Sequence, residues 1–596
     1  MLSKKDWKRF FRRLRYTLVF FMCVFLISGR CLLQAQDIGS INKQNWFDVS
    51  GNVGLNFSFS DYGNKTDAMQ SPWAYGISAG LNLRLVGIDI PLSFAYANGQ
   101  RSFSHPFVHY GISPRYKWIT LHAGYRSLIL SPTIFAGKTF LGVGTEIHWR
   151  WLRFSGFYGN LERSQGYDAL NGNAIPSFGR LGMGFKLGLG SKSTFLDIIV
   201  FKAKDDSTSI APHPKLTITP QDNLVAGLHA GIKLFKVLTI RSEWSVSGYT
   251  KNMSGLSIPD PVIDKLSSFL AVRANSRVGF VTNNTLSLQF GKFGIQGGYR
   301  MVTADYMSLG VPGMGKNTRS ISANARATLL DGRLNLTGFL SDNKSNLTKR
   351  QMYTNRNRVY GVNFSAVITD VFSIDGSYSG LHSFQEDGTA KVNDSIRLNM
   401  FTHSINVSPD FVFGNATWNH NIGSSFDYST VINTNDLVDY IENTLNLSCM
   451  TSYALTYLPL DLSGGANYTF TYDKTGMDIS NSHVVGIFAS KRFLKAKNLS
   501  LNVSSNVGTD SYGGVSRTTF SLSGGVRYTL FNDHHFSFST SFSTFTADGG
   551  SGRHSFRGTF SYNYNIPPLS SRLARKQQQE KNKEKNTLKS IYHGKE

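Results

Sequence analysis

A few short stretches carry residue types at spacings that could do chemistry. GISAG, 76–80, has the G-x-S-x-G spacing of a nucleophile elbow, which would present the Ser78 hydroxyl for acyl transfer. That chemistry needs a sharp strand-to-helix turn. Ser78 instead lies inside WAYGISAGLNLRL, an alternating pattern, and reads as a strand residue. GLGSKST, 188–194, is like a phosphate-cradling loop but lacks the Gly-Lys-Ser/Thr order, so it reads as a short turn. His105 and His109 would share one strand face yet stand roughly 13 Å apart along it, too far for one metal ion. His534 and His535 point to opposite sides of an extended chain. The sequence therefore predicts no catalytic, cofactor or metal site, and no enzyme.

The basic residues are more telling. Alternation puts Arg150, Arg153, Arg180, Lys186, Arg300, Arg517, Arg527 and Arg557 on the polar strand faces, where they are expected to line a lumen, with Glu146, Asp375 and Asp461 as counterweights. Charges on the inner face of a barrel tune the selectivity of a pore, and a net basic lining favours anions. The other reading is that these cations pair with acids and loops and line nothing open. Glycines recur on the same faces, among them Gly142, Gly144, Gly182, Gly184, Gly298 and Gly525. They relieve curvature or admit a closely packed loop.

The elements that must position these residues are strands. LDLSGGANYTFTYD, 460–473, alternates apolar or small residues with polar ones, as do 180–190, 499–504 and 555–566. Such stripes suit both an antiparallel sandwich and a membrane barrel. Connection length separates the two. Short turns such as HWRWLR, LDGRL and FNDHH alternate with longer, more polar loops such as 203–221, 249–275, 305–317 and 383–395. Short turns at one end and long loops at the other predict an all-β chain. It forms a single large antiparallel transmembrane barrel of about 26 strands, range about 22–28. The turns are then periplasmic and the longer loops extracellular. Trp118, Trp149 and Trp151, beside Lys117 and Arg150, predict an aromatic girdle at the short-turn end.

Composition agrees. Of 596 residues only 17% are charged, against 13% aromatic and 57 glycines. Residues 1–35 open with a basic run and a short apolar stretch, Thr17 to Ile27, and Ala35–Gln36 is a plausible cleavage point, which together predict a secretory signal peptide. Residues 36–568 are the barrel, and 569–596 a basic, low-complexity periplasmic tail. The formal charge of +24 divides into +7 before residue 36, +5 after 568 and about +12 between. An exported chain has no use for nucleic acid. With its first two cysteines in the leader, Cys449 stands alone.

Residues 36–568 resemble a Gram-negative outer-membrane β-barrel. The Ala35–Gln36 junction is similar to cleavage sites common in the Bacteroidota. FRGTFSYNY near residue 560 resembles the C-terminal assembly signal of such barrels, although its glycine-to-aromatic spacing differs and a basic tail follows. The resemblance implies outer-membrane lipid, lipopolysaccharide and the barrel-assembly machinery as partners, together with a plug or periplasmic protein. It implies no subfamily.

Only about ten residues lie between the cleavage point and the first strand. A barrel this wide needs filling by its own loops, by a partner, or by collapse. SLILSPTIFAGKTF, 127–140, and PDPVIDKLSSFLAVR, 259–273, are apolar enough either to enter the lumen or to pack on the rim. Two functions follow: a gated pore or export component with a basic lumen, or a non-transporting scaffold of an envelope complex with its lumen closed.

Overall fold

Period-two alternation governs nearly the whole of the computed structural model. It describes residues 47–571, except 63–71, 86–87, 98–107, 167–175, 214–216, 258–268, 312, 436, 438–441, 494–497, 548–551 and 570. The expected signal peptide, its cleavage point, His105 and nearly all of the basic tail lie outside the described residues. The chain divides into two units. Residues 50–82 with 89–567 make up the larger unit, and of the described residues 47–49, 83–85, 88, 568–569 and 571 belong to the other, in which the Leu569 amide donates to the Asp48 carboxylate.

Each barrel strand pairs antiparallel with its neighbours in sequence. The first strand, Phe47–Tyr62, pairs with the last, Arg553–Ile566, in a register that sets Gly51 opposite Ile566 and Phe57 opposite Phe560. The sheet is thereby closed, and closure removes the unpaired edges that a sandwich would leave. One strand is interrupted: Val108–Ile112 and Arg115–Tyr116 both lie between Ile88–Ala97 and Ile119–Ser127. Counted as one, these pieces give 26 strands. Among the described residues no helix is long and apolar enough to cross a membrane.

The outer face is the greasy one. Along Arg180–Gly190, Leu181, Met183, Phe185, Leu187 and Leu189 are each 42–51% exposed in the protein alone. Lone-chain exposure on this scale is what a lipid-facing wall requires. The stretch read as 460–473 forms the strand Leu462–Thr475, with Leu462 and Tyr468 exposed on the same outer row. Asp461, grouped with the polar strand residues by alternation, lies instead in the turn after Leu458–Leu460, with φ 48°, and pairs with Arg492 at 3.2 Å.

Aromatic rings collect at both ends of this outer face. At the short turns the Trp118 and Trp149 rings are 6.3 Å apart, Trp418 and Tyr457 4.4 Å, and the Arg150 guanidinium lies over Trp149 at 5.7 Å. At the long-loop end Tyr75 meets Tyr96 at 6.2 Å and Phe59 meets Trp73 at 4.4 Å. These are the two girdles of a membrane barrel.

Candidate functional site: two loops inserted in the lumen

On the inner face, one side of the barrel carries an apolar core. Ile199, Phe201, Ala203, Val225 and Val281 point inward and are fully buried. The strand Phe195–Asp205 is thus apolar on both faces, because Leu196 and Ile198 face outward. A strand greasy on both faces must be covered on both. Two loops cover the inside.

The first is 128–138, which carries Leu130, Ile134 and Phe135, all 0–2% exposed. The Phe135 ring lies 4.3 Å from that of Phe157 and 5.3 Å from that of Phe201. Burying each of these side chains contributes about 1.5–3 kcal/mol in a lumen that would otherwise hold water. Glycines on the wall allow the approach. A Cβ at Gly184 would stand 2.6 Å from Leu130, and one at Gly227 2.5 Å from Ile134.

Polar clamps fix the loop. The Ser131 hydroxyl, the Thr133 hydroxyl at 2.5 Å and the Thr133 amide at 3.3 Å all donate to Oε1 of Glu243, on the strand Leu238–Thr250. Glu243 is 3% exposed. Three donors on one carboxylate oxygen offset much of the cost of burying it. The Lys186 ammonium donates to the Ile129 carbonyl at 3.3 Å.

The second loop is 303–317. The Tyr306 hydroxyl donates to the Thr133 carbonyl at 2.8 Å and the Ser308 hydroxyl to the Ile134 carbonyl at 2.5 Å. Phe135 and Gly310 form a parallel bridge, with the Ala136 amide donating to the Gly310 carbonyl at 3.2 Å. Asn223 anchors this loop to the wall. Its side-chain NH₂ donates to the Met307 carbonyl at 2.9 Å and its Oδ1 accepts from the Leu309 amide at 3.0 Å. The two loops form one body, held to each other and to the strands 152–250. Burial, and secondarily the charge of Glu243, hold the Tyr306 hydroxyl protonated well above the ordinary tyrosine range.

Of the basic residues expected on polar faces, Arg153 pairs with Asp197, and Arg180 with Asp205 at 2.6 Å and Glu162 at 3.0 Å. A register shift between Asn160 and Glu162 brings Glu162 opposite Arg180. Arg517 is 3.9 Å from Asp510. Arg300, Arg527 and Arg557 stand opposite Asn283, Ser537 and Ser541 and have no carboxylate within ion-pair distance among the described residues. Arg150 sits in the turn after Thr139–Trp149, with φ 52°, against Trp149 rather than on a strand face.

The other candidates are structural. Ser78 lies within the strand Trp73–Leu85. GLGSKST closes as a turn in which the Ser191 hydroxyl accepts from the Thr194 amide at 3.1 Å. His534 meets the Tyr562 hydroxyl on the outer face, and His535 meets Asn565 on the inner one. Of 259–273, residues 258–268 lie outside the described set. The described end, 269–273, packs outside the lumen, where Leu270 faces Gly248 and the Ala271 amide donates to Asp222 at 2.8 Å.

Sequence reasoning missed the loop 303–317, which reads as one more long polar loop, and the anchors Asn223 and Glu243. The available signal was the run of inward apolar residues at 199, 201, 203 and 225. It marks the wall where the polar alternation fails.

No known protein family matches the sequence, and no curated protein matches it. Among solved structures, the chain is similar to the translocation pore of the P pilus usher PapC (11% identity, TM-score 0.40, covering 87% of this chain and 100% of that one). It is also similar to OccAB3 of Acinetobacter baumannii (10% identity, TM-score 0.32, 87% and 99%). A third is the FrpB iron transporter of Neisseria meningitidis (10% identity, TM-score 0.32, 86% and 81%). At these scores the architecture rests on the strand pairing of the chain itself.

Proposed function

We propose that this outer-membrane β-barrel is a transport pore whose gate is the pair of inserted loops, 128–138 and 303–317. The observation that carries the reading is one-sided filling. The loops are packed and clamped against the strands 152–250, whereas the facing wall is lined by Ser, Thr and Asn. There Ser404 meets Ser429 at 3.1 Å and Ser504 meets Ser523 at 2.6 Å. A barrel of ~26 strands exceeds the width at which an aqueous channel forms, so a partial gate is needed and suffices. Arg153 and Arg180 are neutralised by their acids, so a preference for anions falls to Arg300, Arg527 and Arg557.

The test is planar-bilayer recording of the folded full chain under a KCl gradient. Conductance with a reversal potential favouring chloride is the expected result. A folded, heat-modifiable barrel that never conducts would refute the pore and favour the scaffold reading, which the clamped loops also suit.

A further inference from the structure

The outer face carries a charged cluster where a lipid-facing wall has no need of one. It lies on the strands Thr318–Leu329, Leu334–Lys344, Tyr353–Val367 and Phe372–Asp387, at their long-loop ends. Register fixes the face. Arg319 stands opposite Lys344, and two residues further along Ile321 stands opposite Asp342. Lys344 stands opposite Arg356, and Asp342 opposite Arg358. The same rows continue toward the short turns as Ile321, Leu340 and Val362, which are 44%, 54% and 50% exposed. Cations and greasy residues therefore share one outward face, the cations above and the apolar row below.

The cluster is preorganised. Arg356 grips Asp342 with two bonds, 2.7 and 3.1 Å, and reaches Glu386 at 3.0 Å. Arg319 donates to Asp342 at 3.1 Å, and Lys344 to Glu386 at 2.6 Å. Arg358 reaches Asp342 at 3.3 Å, a carboxylate already served by two other guanidinium groups, and its side chain remains 46% exposed. Four cations face two carboxylates, so positive charge is in surplus. The Arg356 and Arg358 guanidinium groups lie over the Phe384 ring at 5.8 and 5.3 Å, and His382 stacks between Phe384 and Phe401 at 4.4 and 4.0 Å. Such a floor fixes the guanidinium planes, and Arg358, bonded to Asp342 through Nε, keeps its two terminal nitrogens uncommitted among the described residues.

We propose that this cluster binds the phosphate of a phosphorylated glycolipid in the outer leaflet, with the acyl chains lying on Ile321, Leu340 and Val362. The open Arg358 guanidinium suits phosphate because its terminal N–H donors can reach two oxygens at once, and the surplus charge of its neighbours adds to the attraction. The position selects a lipid. In a membrane barrel an outward-facing surface is covered by lipid, and four residues along a strand separate Arg358 from Val362, roughly 13 Å before tilt. That is the offset between a headgroup and the upper acyl chain. The two acids hold the cations in place and set the surplus at two charges, enough to attract phosphate without repelling itself.

The site is tested on the purified full chain by native mass spectrometry with bisphosphorylated lipid A, and in parallel with its dephosphorylated form. Wild type is expected to retain the bisphosphorylated lipid at least tenfold better than the dephosphorylated one. Arg358→Gln, which leaves Asp342 paired with Arg356 and Arg319, is expected to lose severalfold in retention, and R356Q/R358Q nearly all of it. Arg333→Gln, at the short-turn end, is the charge-matched control and is expected to bind like wild type. Heat-modifiable gel migration verifies each fold, and R358Q alone decides the matter should the double variant not assemble. Equal retention of the two lipids, undiminished binding by R358Q, or displacement by millimolar inorganic phosphate alone would each overturn the proposal. None of these outcomes bears on conductance, so this site and the pore reading stand or fall separately.

Discussion

The Thr133 hydroxyl donates to the Glu243 carboxylate at 2.5 Å across 110 residues of sequence, and through this bond the loop 128–138 is fastened to the inner wall of the barrel. Glu243→Ala leaves the Ser131 and Thr133 hydroxyls buried without their acceptor. The expected cost is about 2–4 kcal/mol of loop attachment. Limited proteolysis within 128–138 should accelerate by about thirtyfold to several-hundredfold, and open-channel noise should rise. An unchanged cleavage rate would show that apolar packing alone holds the loop.

Asn223 does for the second loop what Glu243 does for the first. Asn223→Leu removes the bonds to the Met307 carbonyl and the Leu309 amide while filling similar space. Hydrogen exchange at the Leu309 amide should quicken by about tenfold to a hundredfold, matching a loss of about 1–3 kcal/mol. Exchange in the strands should stay as it is.

Contact between the two loops depends on a bare backbone at Gly310. A Cβ there would lie 2.6 Å from the Ile134 carbonyl oxygen and 2.7 Å from the Phe135 ring. Gly310→Ala is expected to part the loops at a cost of about 1–3 kcal/mol and to raise conductance. Barrel assembly, read by gel migration, should be unaffected.

Alkaline pH should loosen the same body. Tyr306 keeps its proton in the folded state, mainly through burial and then through Glu243, whereas a tyrosine in the open chain ionises near 10.0. Below that value both states hold the proton and its stabilisation is whole. Above it the released loop loses its proton first, so attachment weakens as pH rises. Conductance recorded from pH 8 to 11 should show opening above about 10 in wild type. Tyr306→Phe, lacking the bond to Thr133, should be looser by about 1 kcal/mol at every pH and lack the alkaline step.

Cys449 reports the orientation of the wall. It lies opposite Phe470 and is half-buried on the greasy row. In proteoliposomes a membrane-impermeant maleimide should leave Cys449 unlabelled, and Ser452→Cys, on the adjoining polar row, should react from within the channel. Labelling of both at equal rates would contradict an outward Cys449.

Much of this was legible in the residues. Leu181 to Leu189 announce a lipid-facing row because strand geometry alone sends every second side chain the same way. Turn length told which end was which. Trp118 and Trp149 marked the girdle through a preference for the interface that belongs to the indole itself. The segment 127–140 was legible as too apolar for an ordinary loop. Its destination was not, since rim and lumen offer the same burial to a sequence pattern. Asn223 and Glu243 carried no signal, because a polar residue on a polar face is unremarkable until a loop arrives opposite it.

The barrel is written in the residues: its strands, their two faces and their order. Those follow from local alternation and short connections, which need only neighbours along the chain. Three features emerge from the fold instead: the lumen is filled from one side, 303–317 joins 128–138 there, and Arg319, Lys344, Arg356 and Arg358 meet on the outer wall. These depend on closure and register, which bring together residues distant in the chain, as Ser308 and Ile134 are at 174 positions apart. A slip of one residue in any ladder between them would send each side chain to the opposite face.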